Sequence, residues 1–419
     1  MNRKQLANGT CLTVFPVDKF KRCRVSLNFI WQASRATATA EALLPMLMER
    51  GNADCPDMTE MSKKLAALYG ASLGVETTII GANRVLTVSV TGIRDKYALS
   101  GEKLTQEYAA LALATAFKPH LPNGCFDEES VEIEKEQLSE LLQSEVNDKR
   151  SYCVRQAKRR FFGDAPEGIE RSGYLDEVPA LTPQAVTDAY KNMISHAQIE
   201  VIALGAEDKD IEALLLDALS KIDRQPLPLA DVSYRQKQDE QAFKQPVDAS
   251  QGKLCMLFTP NEIIDADNLS KMRVAIGLLG GTSTSRLFLN VREKQSLCYY
   301  CPSSFASPTN MLSIDCGIEH ADAQKAKAAI LNELDALRTG EITDKELART
   351  KRSLISSFSA VEDSLSSIEF WHFSEIMRGS DKTPADAMHE ISQVTAQQAQ
   401  EMLNKFTLSV TYLLTKEGE

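Results

Sequence analysis

The sequence predicts an α+β protein made of two halves with similar element order, and three observations predict it. Each half of the 419-residue chain reads as strand, helices, strands, long helices, strand. A polar, Pro-punctuated stretch separates them: Asp223-Arg224-Gln225-Pro226-Leu227-Pro228-Leu229, then Gln236-Lys237-Gln238-Asp239-Glu240-Gln241. That is linker composition. The chain is also too long for one ordinary core, and its 43% hydrophobic and 25% charged residues suffice for more than one. The expected division is 1–222, a linker at 223–246, and 247–419.

The elements follow in order. Thr10-Cys11-Leu12-Thr13-Val14-Phe15 and Arg24-Val25-Ser26-Leu27-Asn28-Phe29-Ile30-Trp31 alternate apolar and polar residues and predict two strands. The Ala/Leu/Met-rich run over 38–51 predicts a helix stopped by Gly51, and 58–69 a second one stopped by Gly70. Leu73–Ile80 and Val85–Val90 predict a hairpin around Gly81-Ala82-Asn83. A long charged helix is expected over 128–160, and a strand at Ile199–Leu204. After the linker the order resumes with a strand at Lys253–Phe258, helices across 268–294 and a strand at Met311–Asp315. Long helices over 321–378 and a closing strand at Leu408–Leu414 complete it.

A net charge of −11 argues against a nucleic-acid surface and against an anionic membrane. The first ten residues lack an apolar core segment, so no signal peptide is expected. No run of about 18 apolar residues predicts a transmembrane helix. Nine scattered cysteines read as reduced thiols. A soluble cytoplasmic protein is the expectation.

The most informative stretch runs Gly280-Gly281-Thr282-Ser283-Thr284-Ser285-Arg286-Leu287-Phe288, then Val291-Arg292-Glu293-Lys294, then Leu297-Cys298-Tyr299. It resembles the C-terminal-half signature of the pitrilysin/insulinase-type zinc peptidases, in which six residues separate an Arg from a Tyr, as they separate Arg292 from Tyr299. The resemblance implies two homologous halves, each a mainly antiparallel sheet packed with helices. It also implies that Arg292 holds a substrate carbonyl or carboxylate and that Tyr299 donates to the oxyanion formed in peptide cleavage.

The companion signature of that family, His-x-x-Glu-His, is missing. Two histidines at i and i+4 share a helix face and chelate zinc, and the glutamate activates water. Aligning on the Glu49-Arg50-Gly51-Asn52 turn puts Ala42 and Met46 at the histidine positions and Pro45 at the glutamate. None can ligate zinc or move a proton, and Pro45 is expected to start or kink the helix. The histidines, at 120, 196, 320, 372 and 389, make no local chelate. The family's third ligand falls near Leu141, beside Glu140, on what reads as a solvated helix face. No metal ligand and no cofactor are therefore expected in this chain.

What the resemblance implies is a zinc-less subunit, inactive alone. It would pair as a heterodimer with a homologous chain that carries the zinc, and the pair would cleave peptides. The alternative is a non-catalytic scaffold or peptide-binding protein of the same fold. An isolated hydrolase with a different metal site is weaker, because no other ligand cluster is visible. Cys298-x-x-Cys301 overlaps the signature and reads as incidental, since it lacks a second pair or a following helix N-terminus. Gly277, Gly280 and Gly281 are not a phosphate loop, for no Gly-Lys-Ser/Thr follows. Trp31 and Trp371 read as core residues.

Overall fold

A computed structural model describes residues 2–206, 208–235 and 239–416, so Gln236, Lys237 and Gln238 of the expected linker lie outside the described residues. The chain forms two compact units. One is Met1–Gln143 with Ile169–Asp231, and the other is Ser144–Gly168 with Val232–Glu419. Among the described residues no helix is long and apolar enough to cross a membrane.

The first unit contains β1 (Asn2–Ala7), β2 (Thr10–Phe15), β3 (Arg22–Gln32), α1 (Ala38–Arg50), α2 (Met58–Ala67), β4 (Ser72–Ile80), β5 (Asn83–Ile93), α3 (Leu104–Phe117) and α4 (Glu128–Ser144). The helix α5 (Lys149–Phe162) belongs to the second unit, and the first resumes with α6 (Pro183–His196), β6 (Gln198–Leu204) and α7 (Asp208–Leu219). Its sheet has the order β1-β2-β6-β3-β5-β4. All pairings are antiparallel except β2 with β6. The central strand β3 is buried from Cys23 to Trp31 apart from half-buried Arg24, and its polar Ser26 and Asn28 are satisfied there by donating to Ile202 O and Glu200 O. Val25, Leu27 and Phe29 join Ala109 and Leu113 of α3 and Leu215 of α7 in the core. Each such buried aliphatic or aromatic side chain contributes about 1.5–3 kcal/mol.

The second unit contains β7 (Gln241–Pro246), β8 (Gly252–Pro260), α8 (Leu269–Ile276), β9 (Ser303–Ala306), β10 (Met311–Ile318), α9 (Ala323–Thr339), α10 (Asp344–Ser359), α11 (Leu365–Met377), α12 (Pro384–Gln393), α13 (Ala396–Asn404) and β11 (Phe406–Thr415). Sheet order is β7-β11-β8-β10-β9, with only β7–β11 parallel. Alternation on β8 splits its side chains between two faces. Leu254, Met256 and Phe258 pack with α8, α9 and α13. Cys255 and Leu257 pack with Cys153, Ala157, Phe161 and Phe162 of α5.

The α+β expectation holds, and several elements differ from it. The helix expected over 128–160 breaks at a 3-10 turn, Glu145–Asn147. There Asp148 caps α5 by accepting from the Ser151 N–H at 3.1 Å, a competing local bond that side-chain periodicity does not reveal. The long helices expected over 321–378 are present as three, restarted by Thr343 and Ser364 caps. Helix α1 begins at Ala38 and runs on through Pro45 rather than starting there. The mostly exposed β7 lies in the stretch expected as linker. It was illegible because its pairing with β11, not its own apolar pattern, makes it a strand.

Candidate functional site

Arg292 lies on a π-helical segment, Leu287–Lys294, that follows a second one, Gly277–Gly281. Such wide turns are rare and concentrate at functional sites. The Gln295 N–H reaches back to Asn290 O at 3.2 Å. The segment is tied down from outside. Arg286 grips Glu346 of α10 with Nε–Oε1 2.8 Å and Nη2–Oε2 3.2 Å, a bidentate pair that fixes orientation as well as distance. Asn290 Nδ2 donates to Glu333 of α9 at 2.8 Å. Gly280 allows the close approach beneath, since a Cβ there would fall 2.6 Å from Ser303 N.

The chain then turns through Ser296, whose φ of 52° is left-handed, a costly conformation for a non-glycine residue. The turn returns Tyr299 to the π segment. The Arg292 Nε donates to the Tyr299 carbonyl at 2.9 Å, its Nη1 lies 2.8 Å from Glu293, and its guanidinium carbon sits 4.7 Å from the centre of the Phe288 ring. The Arg292 side chain is 38% exposed and Tyr299 52% exposed. Both are therefore reachable by a ligand. The two residues that the sequence singled out do come together, through the backbone of one and the side chain of the other.

The Tyr299 hydroxyl donates to Glu319, just past β10. That hydrogen bond, with the charge of the same carboxylate, raises the phenol above its ordinary value. Sequence reasoning missed Glu319, and no spacing pattern could have found it. Tyr300 faces a different environment. Arg150 of α5 stands 4.3 Å from its ring centre and pairs with Asp315 at 2.5 Å. The ring lies close over Gly317, where a Cβ would fall 2.7 Å from Tyr300 Cε1. Burial pushes the Tyr300 phenol up.

In the first unit, α1 carries the positions where the resemblance expects zinc ligands. Ala42 is buried, while Pro45 and Met46 are half-buried. None has a donor atom suited to zinc, so these residues do not fit the metal. One residue before Ala42, Glu41 is buried and ion-paired to Arg84 at 2.9 Å, with the two side chains 1% and 0% exposed. Trp31 Nε1 and Thr37 Oγ1 donate to the Glu41 carboxylate at 3.0 and 2.8 Å. Burial lowers the Arg84 guanidinium from its ordinary value while Glu41 opposes that. On α4, Leu141 and Glu140 are exposed. The buried carboxylate of that helix is instead Glu134, paired with Arg50 at 2.7 Å. It shares a face with buried Val131 and Leu138, at the i+3 and i+4 spacing that could have pointed to it. Among the described residues no group of three or more His, Cys, Asp and Glu is arranged to hold a metal ion.

The family profile described as the peptidase M16 inactive domain matches residues 180–354. A probable inactive metalloprotease of Bacillus subtilis, YmfF, is 24% identical over 98% of this chain and 97% of its own. A conserved protein from Enterococcus faecalis superposes with a TM-score of 0.90 at 25% identity, covering 100% of this chain and 99% of that one. An M16 inactive domain from Pseudomonas fluorescens superposes with a TM-score of 0.79 at 16% identity, covering 99% and 98%. The chain is thus similar to peptidase M16 proteins, the pitrilysin/insulinase type, by the profile over residues 180–354 and by a relative along nearly its whole length.

Proposed function

We propose that this chain is the zinc-less subunit of a cytoplasmic, two-chain M16 peptidase. It contributes Arg292 and Tyr299 to the zinc site of a homologous partner and is inactive alone. The observation that supports this most is the pairing of a half-exposed Arg292 with Tyr299 on a braced π segment, in a chain whose α1 has Ala42, Pro45 and Met46 where ligands and base belong. The metal, held by the partner, would supply Lewis-acid activation. The Arg292 guanidinium, with five N–H donors, would hold a substrate carbonyl. The Tyr299 hydroxyl would leave Glu319 and donate to the oxygen that gains charge. One oxyanion donor is worth about 3–4 kcal/mol of transition-state stabilisation.

The test is cleavage of a quenched fluorescent peptide library by this chain, by a His-x-x-Glu-His chain from the same genome, and by the two mixed. Arg292→Ala and Tyr299→Phe run alongside, with complex formation checked by size exclusion. Cutting by the mixture alone, lost in both variants while the complex persists, is the expected result. Equal cutting by the zinc chain alone would sink the proposal. One observation favours a second reading, a non-catalytic scaffold or peptide binder. The single Tyr299 proton is already committed to Glu319. Under that reading the substitutions leave cutting unchanged.

A further inference from the structure

The Cys298-x-x-Cys301 spacing, incidental in the sequence, acquires a third thiol in space. The pairs Ile314 with Ser303 and Tyr300 with Gly317 are steps of one antiparallel register, so Cys316 of β10 lies opposite Cys301. Directly opposed residues have Cβ atoms about 4.5–5.5 Å apart. The chain bends at Tyr299, between Cys298 and Cys301, and Cys301 interacts with both Cys298 and Cys316. All three thiols belong to the apolar core of the second unit, beside the π segment that carries Arg292. Their access differs, for Cys298 keeps 7% of its surface open and Cys316 none.

The thiolate is the nucleophile in disulfide chemistry. Interaction with Cys301 holds the Cys298 thiol below its ordinary value, and the Arg292 guanidinium acts in the same sense. Cys301 is held up by its bonds to Cys298 and Cys316 and by burial. Cys298 is thus the attacking thiol and Cys301, similarly buried at 6% exposure, the resolving one.

We propose that Cys298 and Cys301 form a reactive dithiol, a modification site for small organic disulfides, whose closure locks the Tyr299-Tyr300 segment between them. Cys298 attacks one sulfur of the external disulfide, forming a mixed disulfide and expelling one thiolate. Cys301 gives its proton to solvent and attacks the Cys298 sulfur, and the second external thiolate leaves. Two protein thiols are oxidised and one external disulfide is reduced to two thiols. Closure fixes the Tyr299 carbonyl that Arg292 holds. Its consequence for peptide cleavage rests on the function proposed above.

The test treats the native chain with excess oxidised glutathione, blocks remaining thiols by alkylation and digests with trypsin. One tryptic peptide, Gln295–Lys325, contains all three cysteines. The expected result is loss of two hydrogens from that peptide with no adduct, an outcome that Cys316→Ser preserves. Cys301→Ser should carry one glutathione on Cys298, and Cys298→Ser none. The proposal is overturned if the peptide stays fully alkylated while half-buried Cys11 and Cys125 react, if a stable adduct remains on Cys298 of the native chain, or if the bond forms between Cys301 and Cys316. The mass result is independent of peptidase activity. A mixture that never cuts would therefore refute the proposed function and leave the dithiol standing. Where the mixture does cut, oxidation should suppress cutting, dithiothreitol should restore it, and Cys298→Ser should be insensitive. Unchanged cutting after closure would remove the link to the Arg/Tyr site.

Discussion

Replacing Arg84 with methionine should destabilise the first unit more than any surface substitution could. The Arg84 side chain has no exposure, and its Nε lies 2.9 Å from Glu41. Its Nη1 also donates to Arg171 O at 3.0 Å, and Nη2 to Glu170 O at 3.3 Å. Methionine fills similar volume but leaves the Glu41 carboxylate buried without a counter-charge, and the Arg171, Glu170 and Ala38 carbonyls without that donor. Breaking a buried pair from one side costs about 3–5 kcal/mol. For a unit of this size each kcal/mol lowers the midpoint by about 2–4 °C, so the fall should be roughly 6–20 °C. The chain has two tryptophans, and Trp31 donates directly to Glu41. Thermal unfolding followed by fluorescence in a Trp371→Phe background therefore reports on this unit. Glu41→Gln with Arg84→Met should recover part of the loss, because Trp31 and Thr37 keep an acceptor and no charge is stranded. A coupling of about 1–3 kcal/mol is expected. A shift below about 1 kcal/mol for Arg84→Met, or strictly additive single costs, would refute the argument that this pair is desolvated and mutually dependent.

Two further outcomes are expected. Glu319→Gln should lower the ionisation of Tyr299 toward its ordinary value, because the carboxylate's hydrogen bond and charge are what raise it. Carbon-13 NMR of ζ-labelled tyrosine, with Tyr299→Phe as the assignment control, reads this directly, and an unmoved titration contradicts the pairing. Burial pushes the Cys23 thiol from its ordinary 9.0 to about 11. The folded chain then holds this proton longer than the unfolded one. Its contribution is whole below about pH 9 and is lost as pH rises toward 11, at up to about 1.4 kcal/mol per pH unit. Denaturant unfolding across that window should show a shallower fall for Cys23→Ala, and parallel slopes would rule the assignment out.

How much was legible depends on how local each signal was. The helix over α1 and its Gly51 stop, the hairpin of β4 and β5, and the closing β11 were readable from periodicity and turn residues within each segment. β1 and β7 were not, because they are edge strands defined by a neighbour. The break between α4 and α5 escaped because helical charge spacing continues across Asp148.

The sequence by itself determined that the chain has two α+β parts, that Arg292 and Tyr299 share a signature, and that α1 lacks zinc donors. All three rest on residue identity and short spacing. Only the tertiary structure decided that α5 joins the second unit, that Glu41 meets Arg84, that Cys316 backs Cys301, and that Glu319 holds Tyr299. Those contacts join residues from 15 positions apart, Cys301 and Cys316, to 259, Cys153 and Tyr412. Strand register and helix docking create them, and both are properties of the packed chain rather than of any segment.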